Sequence, residues 1–230
     1  AQGELRAAHG AFGRGASVEE AFFNLCLVEH AGEVIFYCDL MGVDREFARR
    51  AAADAAPLIF KRMPDYTNEL DKRVDFADEP DTVDMFTSTG YRIFESRYTP
   101  FHTGSMSIRG ATTLLYLPKA AQPHDLTGPM LELPLADKNP DDYELSMHRA
   151  VYNNTPLKSV FHAYPSETEA LTIKMLSDGL SDKPRAIPID AEGGFLYPAI
   201  PILPQDHTPD QLCRALLDYR VVIVMFGGVW

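Results

Sequence analysis

The chain has 230 residues, enough for one large domain or one and a half smaller ones. Hydrophobic residues make up 46% and charged residues 23%, which implies a packed core and excludes a disordered chain. The net charge of −12 argues against nucleic acid as a partner, and no apolar run reaches the ~20 residues that span a bilayer, so a soluble protein is expected.

In chain order, residues 3–9 read as a short strand leading into a turn over Gly10–Gly15. Ser17-Val18-Glu19-Glu20 has the capping-box spacing and opens a long helix to about Asp39, with Phe22, Phe23, Cys26, Val34 and Phe36 as core candidates. A second helix is expected from about Asp44 to Phe60. The stretch 61–80 is polar, contains two prolines and reads as a linker between modules. Pro80 suits the first turn of a helix over 81–97. Thr103–Arg109 and the apolar run Thr113–Leu117 suggest strands joined by a turn, and 118–141 is rich in proline and polar groups.

A helix over 142–153 should stop before Thr155-Pro156, and Ser159–His162 reads as a short buried strand. Ser166-Glu167-Thr168-Glu169 gives a second capping box and a helix to about Ser177. The five prolines of 184–204 suggest edge strands and loops. Thr208-Pro209-Asp210-Gln211 combines an N-cap, a proline at the first helical position and a Gln at the third, for a helix ending near Tyr219. Val221–Met225 should be a central strand. Helices and strands mix throughout, so the fold class is α/β. The three cysteines, Cys26, Cys38 and Cys213, are widely spaced and lie in helical segments, which reads as free buried thiols in a reducing cytoplasm. The N-terminus carries no secretory pattern.

Four segments then fall in a telling order: Gly104-Ser105-Met106-Ser107-Ile108-Arg109, Glu144–Tyr152, Ser159-Val160-Phe161-His162-Ala163-Tyr164-Pro165, and Val221–Gly227. Their order and spacing over residues 80–230 resemble the class II aldolase/adducin family. There a Gly-Asn-x-Ser-x-Arg segment is followed by an acidic residue four positions before a helical His. A strand ending His-x-His and a late strand ending His-Gly come next. The resemblance implies a central, largely antiparallel sheet flanked by helices. It also implies three His ligands holding a divalent ion, usually zinc, that polarises a ketose carbonyl while a Glu moves the proton. It places Glu144 at the acid/base position and His162 at the first metal-ligand position, with Gly104, Ser105 and Lys119 toward a substrate phosphate.

The departures are as informative. The second ligand position holds Tyr164 and the third Phe226; Ser105 stands where Asn is usual, and Asp142-Tyr143 precede Glu144 where Ser-Ser occurs. A neutral phenol is a poor zinc ligand and Phe is none, so the 81–230 module reads as degenerate or as altered in chemistry. The N-terminal stretch His9-Gly10-Ala11-Phe12 with Ser17–Phe23 resembles the late His-Gly strand and the helix after it, which makes His9 a third-ligand position. Residues 1–60 thus read as a module tail, 61–80 as a linker and 81–230 as a module lacking its own tail. Either the chain is part of a tandem protein, or residues 1–60 complete a neighbouring module.

Two functions follow from the resemblance. One is a metal-dependent lyase, epimerase or dehydratase acting on a small sugar or sugar-phosphate. The other is a non-catalytic pseudo-aldolase module with an assembly or regulatory role. A third option uses Glu144 and Tyr164 as an acid/base pair without metal. Association, as a homo-oligomer or with a complementing aldolase-like chain, is implied as well. Blander roles stand beside each residue. His162 suits a hydrogen-bonded core position, Glu144 suits a first helical turn, where a carboxylate complements the dipole, and His148 can pair with Glu144 one turn away. Lys119 suits a solvated loop and Arg109 a surface ion pair, while His102, His124 and His207 have no convergent partners.

Overall fold

The computed structural model describes residues 3–6, 10–15, 18–62, 80–95, 104–118, 130–136, 142–179 and 184–230. His9, Lys119, His102, His124 and most of the expected linker lie outside the described residues.

The chain opens with an antiparallel pair, β1 (Gly3–Arg6) and β2 (Gly10–Gly13), followed by helix α1 (Val18–Leu40). Gly10–Gly13 is therefore strand rather than turn. A Cβ on Gly13 would lie 2.2 Å from the carbonyl oxygen of Ala21, so this glycine serves a close approach to α1. Helix α2 (Arg45–Arg62) follows and carries Pro57 in its interior, and α3 spans Pro80–Glu95.

The central sheet has the order β5-β4-β3-β6 and is antiparallel throughout. Its strands are β3 (Ser105–Arg109), β4 (Thr113–Leu117), β5 (Leu131–Pro134) and β6 (Ser159–His162). β5 arises inside the proline-rich stretch 118–141, to which the sequence assigned no element; Pro134 is tolerated because β5 is an edge strand. Between β5 and β6 lies α4 (Tyr143–Asn154), capped by the Asp142 side chain on the Leu145 N–H. The pleat of β4 sends successive residues to opposite faces. Leu114 and Tyr116 join the core that α4 and α7 (Pro209–Tyr219) cover, while Leu115 and Leu117 pack with Phe86 of α3 and Met130. The sheet is thus covered on both faces, which accounts for the unbroken apolar run.

A second sheet, β10-β9-β8-β7, lies beyond α5 (Ser166–Ser177) in the sequence. It is built from β7 (Arg185–Ala186), β8 (Ile200–Leu203), β9 (Ile223–Val224) and β10 (Gly228–Val229), with α6 (Ala191–Leu196) between β7 and β8. The run Val221–Met225 contributes only the two residues of β9, interior to this smaller sheet and parallel to β8. The chain turns back after Val224, which ends the strand earlier than its β-branched composition suggests. α7 has the full capping box expected from Thr208 and Gln211.

α1 packs along α5. Val34 and Cys38 meet Ala170 and Ile173, and three polar links cross the interface. His30 pairs with Glu169 at 3.0 Å, the Tyr37 hydroxyl donates to Glu167 at 3.1 Å and the Ser166 hydroxyl donates to Glu33 at 2.8 Å. Ser166 is thereby withdrawn from the expected capping box; Pro165 occupies the N-cap without a side-chain bond. Phe22 and Phe36, expected in the core, are more than half exposed, because the apolar residues of α1 are spread around the helix and α5 covers only part of it. All three cysteines are free thiols. Among the described residues no helix is long and apolar enough to cross a membrane.

Ile173, 2% exposed, sits at the centre of the α1–α5 contact. Ile173→Ala should lower unfolding stability by about 2–4 kcal/mol, read from a urea midpoint at unchanged m-value.

Candidate functional site

Ser105 and Ser107 are two apart on β3 and face α4, where an apolar layer would otherwise continue. α4 answers with Glu144, His148 and Tyr152, spaced one turn apart on one face. All five are at most 2% exposed. Ser105 is the strand partner of His162, so both side chains converge on the Glu144 carboxylate from adjacent strands. The Ser105 hydroxyl donates to Glu144 Oε1 at 2.5 Å, and Nδ1 of His162 contacts the same oxygen.

The bonds form a continuous chain. The Tyr152 hydroxyl donates to the Ser107 carbonyl at 2.7 Å and lies 2.6 Å from the Ser107 hydroxyl. Ser107 Oγ is 2.7 Å from His148 Nδ1, and His148 Nε2 is 2.9 Å from Ser105 Oγ. Because Ser105 gives its proton to Glu144, its oxygen accepts from His148 Nε2–H. His148 Nδ1 in the neutral ring then accepts from Ser107. Donors thus run in one direction from Ser107 through His148 and Ser105 to Glu144, while the single Tyr152 proton goes to the Ser107 carbonyl. Burial pushes the Tyr152 phenol well above its ordinary range, with the Ser107 hydrogen bond pulling weakly the other way, so it acts only as a protonated donor. His148 reaches Glu144 through Ser105.

His162 is enclosed on every side. Its Nε2 lies 2.6 Å from the Gly227 carbonyl, an acceptor only, so Nε2 carries a proton there. Trp230 stacks on the ring at 3.9 Å between centroids and 14° between planes, and Tyr164 lies 4.5 Å away at 48°. Trp230 also approaches His148 at 5.2 Å. Tyr164 is half-buried just beyond β6, and Gly104 is buried immediately before β3. Arg109 donates to the Thr155 carbonyl at 3.2 Å. His207, given no role, is buried with Nδ1 3.1 Å from the Pro204 carbonyl.

These donors do not fit a zinc ion. Both nitrogens of His162 are taken within the protein, Tyr164 offers a neutral phenol, and the Phe226 side chain has no lone pair. Phe226 packs with the α1–α5 cluster and with Met175, Ile202 and Ile223. It also lines an open groove with Phe47, Arg50, Leu176 and Gln205, which shares no residue with the polar network. Among the described residues no three His, Cys, Asp or Glu side chains are placed to hold a metal.

Sequence reasoning found Glu144, His162 and Ser105, which the fold brings together. It missed Ser107, Tyr152, Trp230 and the Gly227 carbonyl. The alternation of Ser105 with Ser107, and the four-residue steps Glu144, His148, Tyr152, carried a signal for the first two. Nothing local marks Trp230, which is placed by the second sheet.

No protein-family model and no curated protein matches the sequence. Among solved structures, the L-fuculose-1-phosphate aldolase of Thermus thermophilus is 23% identical and superposes with a TM-score of 0.49, covering 64% of this chain and 76% of its own. Another structure, of L-fuculose 1-phosphate aldolase, gives a TM-score of 0.51 at 12% identity over 66% of this chain and 74% of its own. Identities this low speak to the fold alone. On that likeness and on its antiparallel sheet flanked by helices, the chain has a class II aldolase-like α/β fold.

Proposed function

We propose that residues 81–230 form a non-catalytic aldolase-like module, whose inherited polar positions now hold the fold together and which acts in assembly or regulation. The observation that carries this reading is the enclosure of His162. One nitrogen contacts Glu144, the other the Gly227 carbonyl, and Trp230 covers the ring. A group so placed reaches neither a metal nor a sugar. The exposed Phe22, Ile35, Phe36 and Leu40 on α1 support association, with a second copy or with a complementing aldolase-like chain. On this reading residues 1–60 are a docking tail and His9 serves no site within 81–230.

The competing function is a zinc-dependent lyase or epimerase of a small sugar-phosphate. It requires ligands beyond those that His162, Tyr164 and Phe226 supply. Metal-free acid/base chemistry by Glu144 and Tyr164 is favoured by the half-buried Tyr164 ring beside His162. It needs the Glu144 carboxylate at a substrate, and that residue is 2% exposed.

The purified chain, titrated with zinc and assayed with L-fuculose 1-phosphate, should bind less than one equivalent and show no cleavage. Tight stoichiometric zinc binding would overturn the proposal. A second test separates structural from catalytic use of Glu144. Glu144→Gln should lower unfolding stability by about 1–3 kcal/mol, because the imidazole and the Ser105 hydroxyl lose a charged acceptor. Residues kept for catalysis commonly leave stability unchanged or raise it when replaced, so an unchanged or higher denaturation midpoint would count against the structural role.

A further inference from the structure

Residues Phe226–Trp230 cross the face of His162 as a strap. Val229 and Ala163 exchange backbone hydrogen bonds of 2.9 and 2.7 Å, and Val222 and Trp230 exchange bonds of 2.9 and 2.8 Å. Gly228, at φ +79°, lets the strap lie close. A Cβ there would come within 2.1 Å of the Ala163 carbonyl oxygen and 3.0 Å of His162 Nε2. The entry to the strap is strained, because Phe226 adopts φ +52°, a left-handed conformation that a bulky side chain reaches only against steric cost. The Trp230 indole is itself arranged as a ligand would be. It lies flat on one imidazole, approaches a second, and joins the apolar cluster of Tyr116 and Val151.

We propose that the space bounded by His162, His148 and this cluster is a binding site for a flat aromatic ring, filled here by the chain's own Trp230. Release of the strap vacates it for a small planar aromatic molecule. The inference rests on the reading of His162 as metal-free. The two fail separately, since zinc titration tests that reading and ring binding tests this one.

The experiment uses the full chain and free indole as probe. Trp230→Ala should melt lower than the parent, and millimolar indole should raise its midpoint by several degrees. The parent should respond much less, because its own ring competes for the site, and Trp230→Phe, which keeps a ring in place, should behave like the parent. A folded Trp230→Ala variant indifferent to indole would overturn the proposal. Hydrogen exchange on the unmodified chain gives a reading that does not depend on the variant folding. The Val229 and Trp230 amides should exchange at least tenfold faster than the amides joining β3 and β4, through opening of the strap alone. Protection equal to that of the central sheet would rule out a releasable strap.

Discussion

The structure depends on finding partners for one buried carboxylate. Glu144 lies in the first turn of α4, where the helix dipole favours a negative charge, yet burial removes the water that would solvate it. A charge so placed is tolerated only when hydrogen-bonded, and removing a partner from a buried pair is far costlier than never having built it. Ser105 of β3 and His162 of β6 supply the bonds, and they do so because they are register partners. A slip of one residue between these strands would leave one of the two side chains on the opposite face. The polar seam therefore fixes the pairing of β3 with β6 and the seating of α4 on the sheet, which apolar contacts alone specify less sharply.

On the proposed reading, that dependence explains how positions resembling a catalytic site can persist with a different use. The acid, the imidazole and the small hydroxyl of β3 remain adjacent because the fold brings these strand and helix ends together. Their outer partners decide what they can do. A carbonyl from the turn after β9 takes the nitrogen that would face a ligand, and an indole takes the ring face. Polar groups facing one another inside a sealed layer rigidify it; the same groups facing a cleft would be reactive.

Legibility in the sequence followed the range of the interactions. The α7 cap was readable because Thr208 and Gln211 satisfy each other within one turn. The β4 run was readable because burial on both faces leaves a continuous apolar record. Glu144, His162 and Ser105 could be singled out from motif order, although their mutual bonds could not. Expectations failed where a distant element claimed a residue. Ser166 was spent on Glu33 of α1 and Gly13 on the approach of α1. Phe22 and Phe36 failed for the opposite reason. A helix whose apolar residues are spread around it does not say which side the protein covers.

The sequence contains one tryptophan, and it is the residue stacked on His162. Tryptophan emission, excited at wavelengths that tyrosine does not absorb, therefore originates at a single point, beside an imidazole ring and on a segment held by a two-residue strand. An optical signal from this protein is a local one. Its loss marks departure of the indole, whereas far-ultraviolet dichroism follows the helices, and coincidence of the two transitions would mean that the strap and the sheet behind it melt as one cooperative unit.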